Sequence, residues 1–179
     1  MARDDLDQPA LWRASVPVFE RMLDRLGREL TASAAQLGPR MGEALAQRPA
    51  AGMMPAAQQI ATAAQFTLRI AFPLAGARAP EVRGALDLDG LRGRLAETRR
   101  LLAGLDVQAF LGAESRIVRG QAGFAAVELP GEDFLREFGL PNVYFHHAMA
   151  HVALKQAGVR LGKADYDGIH LYPDGFSFG

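Results

Sequence analysis

The chain has 179 residues, with 20 basic and 20 acidic side chains, four histidines and no cysteine, a length that implies one domain able to bury roughly 70% of its unfolded surface. Lacking cysteine, it has no disulfide, thiolate metal site, thiol nucleophile or thiol switch. Zero net charge, built from 18 Arg and 2 Lys against the acids, argues against a bulk electrostatic fit to nucleic acid or to an anionic membrane.

The opening residues, Met1–Asp7, are acidic and polar, unlike the basic start and apolar run of a secretory leader. Beyond them, Trp12, Val16, Phe19, Leu23, Leu26, Leu30 and Leu37 repeat at spacings of four and three, with Ser33 in the one small gap. This is a heptad seam, and it predicts a long first helix with Arg13, Glu20, Arg21, Asp24, Arg25 and Arg28 on its other faces. Pro17 either marks the first turn, with Ser15 as N-cap, or kinks a helix that starts near Pro9. Gly38-Pro39 stops the helix. Residues 38–55 read as a long crossover with a short helical turn near Met41–Gln47.

A second helix is predicted from Pro55 to about Ala75, with Ile60, Ala63, Thr67, Ile70 and Leu74 on one stripe and Phe66 alongside. Its apolar run, Ile60–Leu74, is interrupted by Gln65, Arg69 and Pro73 and is too short to span a bilayer, so a cytoplasmic location is the default expectation. A third helix runs from about Leu88 to Leu105, opened by Asp87 or Asp89. The period then changes. Ile117-Val118, a Gly120–Gly123 turn and Phe124–Leu129 predict a short β-hairpin. Pro130 starts the last helical region, which continues from Asn142 to about Gln156 after Pro141 and ends at Gly158. The tail from Leu161 to Gly179 reads as extended. These elements predict an all-α four-helix bundle with a long crossover after helix one and a hairpin before the last helix.

Chemistry concentrates in Asn142–His151. His147 and His151, spaced i, i+4, project from one face roughly 40° apart and could share a divalent zinc, nickel or iron ion, whereas His146 points roughly 100° away. Two ligands need a third; Gln59, Gln65, His170 or water are the candidates. The last helix is also apolar in two directions, with Phe145, Met149 and Val152 on one side and Val143, Ala150, Leu154 and Ala157 on the other. That pattern suits a central helix or one shared with a second subunit, hence a homodimer. No nucleophile elbow, phosphate loop or dinucleotide glycine pattern is present, and Gly158–Lys163 reads as a helix end and turn.

Three segments carry a family resemblance: Trp12-Arg-Ala-Ser-Val-Pro-Val-Phe19, Met53-Met-Pro-Ala-Ala-Gln-Gln-Ile60, and Leu140-Pro-Asn-Val-Tyr-Phe-His146 through Gly158-Val-Arg-Leu-Gly-Lys-Ala-Asp-Tyr166. In order and spacing they resemble a bacterial domain of unknown function, number 1993, of the DinB-like superfamily, over about residues 11–166. The resemblance implies a DinB-like four-helix bundle, often dimeric, with an internal cavity that in many members holds a divalent metal on three histidines. Some relatives are thiol-cofactor-dependent transferases or isomerases. In metal-bearing members one histidine lies on the second helix and two, spaced i, i+4, on the last. Here His147 and His151 keep the latter spacing, while the second helix carries Gln59, Ala61 and Gln65. In the domain of unknown function itself, His146 is the usual histidine, and an aromatic residue stands at the position of His151.

The leading expectation is a homodimeric bundle that binds a small molecule in an internal cavity, with Gln59, Asn142, Tyr144 and His146 as hydrogen-bonding partners. A divalent-metal enzyme using His147 and His151 is the alternative. A structural or protein-interaction module is the third. The whole chain, residues 1–179, is taken as one domain, with a core over 11–166 and a C-terminal tail over 167–179.

Overall fold

The computed structural model describes residues 7–173 and 176, so the end of the tail, Ser177 included, lies outside the described residues. The chain is mostly helical, with one two-stranded antiparallel sheet. Four long helices supply the core: α1 (Ala10–Leu37), α3 (Ala56–Leu74), α4 (Leu88–Ala103) and α6 (Leu140–Gln156). The short α2 (Met41–Ala46) lies in the crossover after α1 and buries Met41, Ala44 and Leu45. No helix among the described residues is long and apolar enough to cross a membrane.

The heptad seam of α1 does what its spacing dictates. Val16, Phe19, Leu23, Leu26, Leu30 and Leu37 are buried, and Trp12, half-buried, meets the edge of Phe110 at 5.2 Å. Burial of each large apolar side chain contributes roughly 1.5–3 kcal/mol. Pro17 lies inside the helix, which starts at Ala10 after Pro9. Ser15 is not an N-cap: its hydroxyl donates to the Leu11 carbonyl at 2.5 Å, one turn back.

The predicted stripe on α3 is buried in full, and α3 packs against α6, α4 and α1. Its approach to the last helical region is close. A Cβ on Gly139 would lie 2.9 Å from an Ile70 methyl, so only glycine lets the two backbones come this near. Asp87 caps α4 by accepting from the Gly90 N–H at 2.8 Å. The loop between α3 and α4 is tied down by Gln65, which donates to Pro80 and accepts from Val82, and by Arg94, which donates to Val82.

The hairpin pairs β1 (Ile117–Ala122) with β2 (Ala125–Pro130), Ala122 opposite Ala125. The turn is Gly123-Phe124 rather than Gly120–Gly123. Gly120 belongs to β1 because Phe134 packs on it: a Cβ there would sit 2.8 Å from the Phe134 ring. After Pro130 the chain is continuously helical, through α5 (Gly131–Asp133), a π-helical stretch Phe134–Gly139 and then α6. Pro141 occupies the first turn of α6, and the wider π turn precedes the point where its ring would crowd a regular helix.

The tail is not wholly extended. Residues Lys163–Asp167 form α7, capped by Asp165, whose carboxylate accepts the Gly162 N–H at 2.7 Å. This short helix packs against α1, which brings Tyr166 and the turn after it to the flank of α6.

Candidate functional site

The inner face of α6 carries His146 and His147, both buried, and His151 one turn on from His147. Facing them from α1 is Glu29, whose side chain is fully buried. With Met22 it flanks the seam residues Leu26 and Ser33, and all four are buried. A carboxylate can be held there only by partners that replace water.

His151 and His147 are those partners. His151 Nδ1 lies 2.7 Å from Glu29 Oε1, and a carboxylate only accepts, so Nδ1–H donates. His147 Nε2 stands 3.5 Å from the other oxygen, Oε2. Neither His147 Nε2 nor Glu29 Oε2 has a hydrogen-bond partner among the described residues. Burial alone would push the Glu29 carboxyl up. The polar contact with His147, the hydrogen bond with His151 and the charge on either ring outweigh it and hold the carboxyl below its usual range. Tyr166 closes the cluster, its ring 4.3 Å from that of His147 and 5.8 Å, edge-on, from that of His151. Burial is the main cause pushing the Tyr166 phenol up, with smaller contributions from Tyr144, Glu29 and Asp167.

A cavity of about 340 Å³ opens beside this cluster, between α1, α6 and α7. His147, Tyr144 and Tyr166 form one side, Val18 and Met22 the other, with Arg21 and Arg25 from α1 and the Asp167–Ile169 turn completing the wall. A buried imidazole at the wall of a small cavity, with a carboxylate behind it, can take or give a proton at a bound molecule.

The other expected residues are placed as follows. Gln59 and His146 meet, but as a buried pair on the α3 side of α6, outside the wall of this cavity. His146 Nδ1–H donates to Gln59 Oε1 at 2.7 Å, and Gln59 donates onward to the Met54 carbonyl at 3.3 Å. Burial, then the charge of Arg69, push the His146 imidazole down, which keeps it neutral. Phe66 stacks on it at 5.4 Å and carries the Arg69 guanidinium over its ring at 4.3 Å. Asn142 donates to the Phe138 carbonyl one turn back, at 2.6 Å, and Tyr144 alone of the four lines the cavity.

A shared metal ion would need three donors converging on one point. Gln59, Gln65 and His170 are engaged elsewhere, His170 with Asp167. Glu29, which was not among the expected ligands, is the third donor-type side chain beside His147 and His151, yet one of its oxygens is taken by the His151 N–H. As placed, the three do not form a metal cage, and no other group of three His, Asp or Glu residues among those described does so. The signal for Glu29 was its place beside the apolar seam of α1.

No curated protein matches the chain. The crystal structure of a DinB family member protein from Shewanella denitrificans is similar to it. The TM-score is 0.81 and the sequence identity 28%, over 90% of this chain and 94% of that one. The family model of a domain of unknown function (DUF1993) matches residues 11–167. The chain belongs to the DUF1993 family.

Proposed function

We propose that this DUF1993 protein is a DinB-like four-helix bundle that binds a small organic molecule in the cavity between α1, α6 and α7. Glu29, His147 and His151 handle a proton at that molecule. One observation carries the reading: His147 is buried and part of the cavity wall, with its Nε2 3.5 Å from the buried Glu29 carboxylate behind it. Glu29 orients the imidazoles and stabilises a proton gained by either, and the Tyr166 ring shields them.

A fragment library screened by protein-detected NMR tests this. The account expects binders that shift the signals of His147, Tyr144 and Tyr166. Shifts confined to Gln59, Asn142 and His146 would move the site to the α3 side of α6. No binder of any kind would overturn the reading.

A divalent metal on His147 and His151 is the second reading, favoured by the facing Glu29 Oε2 and His147 Nε2, neither hydrogen-bonded among the described residues. Elemental analysis of untagged protein beside a His147→Ala/His151→Ala variant decides it. Near-stoichiometric zinc, nickel or iron, lost in the variant, would support the metal; absence after incubation with these ions would remove it.

The outer face of α6 supports a homodimer. Phe145 is 49% and Val152 37% exposed, with Met149 between them on one stripe, where burial on both sides was expected.

A further inference from the structure

Arg21 and Arg25 lie one turn apart on α1, and both line the cavity, Arg21 exposed and Arg25 half-buried. Their neighbours on the helix are ion-paired: Asp24 is shared by Arg28 at 2.8 Å and Arg99 at 3.9 Å. Arg21 and Arg25 have no ion pair or hydrogen bond among the described residues. The carboxylates of Asp167 and Glu29 are already engaged. Asp167 accepts the backbone N–H groups of Ile169 and His170, at 2.9 and 3.1 Å, as well as the His170 ring. Glu29 lies behind His147 and is held by His151.

Arg25 also packs on the turn after α7. Gly168, at φ 68°, turns the chain after α7 against its guanidinium, and a Cβ on that residue would overlap the group. Two guanidinium groups without an ion pair among the described residues thus line the same cavity as Val18, Met22 and Ile169 and the rings of Tyr144 and Tyr166. Guanidinium forks match the planar geometry of a carboxylate and bind it through paired N–H donors. A volume of about 340 Å³ is at the small end for ligand pockets, so the body that fits is compact.

Resting on the reading that this cavity binds a small molecule, we infer that its ligand is a monoanion, a carboxylate carried on an aromatic or aliphatic body. Arg21 and Arg25 take the carboxylate at the mouth, and the body lies between Met22 and the two tyrosine rings with its far end toward His147.

Three probes of one size separate the charge from the shape: phenylacetate, phenylacetamide and 2-phenylethylamine, titrated by NMR into the full chain. The acid is expected to bind at least tenfold more tightly than the amide, and the amine more weakly still. Arg21→Gln and Arg25→Gln are expected to reduce the preference for the acid to under threefold, weakening the acid more than the amide. Arg21 is exposed, so its variant keeps the test valid if the Arg25 variant fails to fold. Equal or tighter binding of the amide or amine, a preference that survives both variants, or no response to any of the three would overturn the inference. The cavity reading fails separately, when the fragment screen yields no binder of any charge class.

Discussion

His147 Nε2 and Glu29 Oε2 face each other at 3.5 Å, both buried, at the contact of α1 with α6. Of the buried side-chain polar atoms without a partner among the described residues, only Thr98 Oγ1 lies elsewhere. Buried polar atoms without a full hydrogen bond cost stability, and these two meet beside a cavity.

Removing the carboxylate unbalances the cluster. Glu29→Ala leaves two buried imidazoles without the acceptor that holds them, and should lower stability by about 3 kcal/mol, with Glu29→Gln losing roughly half as much. Urea denaturation reads this directly. A loss below about 1 kcal/mol for the alanine variant would show that the histidines do not depend on Glu29.

The same residue sets an acid limit. Glu29 titrates below its ordinary 4.5 in the folded protein, so between these values the unfolded chain binds more protons and stability rises with pH. Its contribution is complete above pH 4.5 and is lost as pH falls through the folded value. The stability gap between wild type and Glu29→Gln should therefore shrink as pH falls below about 4.5. A gap that widens in acid would reverse the sign of the coupling.

Gln59 and His146 are a structural pair in this account. Gln59→Leu should cost about 1–2 kcal/mol by stranding the His146 N–H, and should leave binding of cavity fragments within twofold. A variant of native stability that binds no fragment would return these residues to the ligand site.

The dimer is tested on the outer face of α6. Phe145→Arg should convert the particle to a monomer by light scattering, with less than about 1 kcal/mol change in stability because half the ring is already exposed. An unchanged mass would place any interface elsewhere.

The helices were legible because their apolar residues repeat: the seam from Val16 to Leu37 and the stripe from Ile60 to Leu74 are both buried as spaced. Where a single residue carries two meanings, the reading slipped. A glycine reads as a turn residue, yet Gly120 lies in a strand because Phe134 needs the room. The five residues of α7 are too few to show a period, and its cap pairs the Asp165 carboxylate with the backbone N–H of a glycine. The i, i+4 pair of histidines was visible, but its partner Glu29 lies 122 positions from His151, and no spacing links the two. Its neighbours Met22, Leu26 and Ser33 were the clue, because a carboxylate among them must be buried. Gln59 and His146, 87 positions apart, were both named as binding residues and do meet. Spacing could not tell that they satisfy each other.

Long-range nitrogen NMR of the imidazole rings tests most directly whether Glu29 holds both histidines beneath a ligand cavity. In wild type, the account predicts a protonated Nδ1 on His151, and ring signals of His147 and His151 that both move in Glu29→Gln and again when a cavity fragment binds. Ring signals indifferent to Glu29, or a fragment that shifts His146 and leaves His147 still, would contradict it.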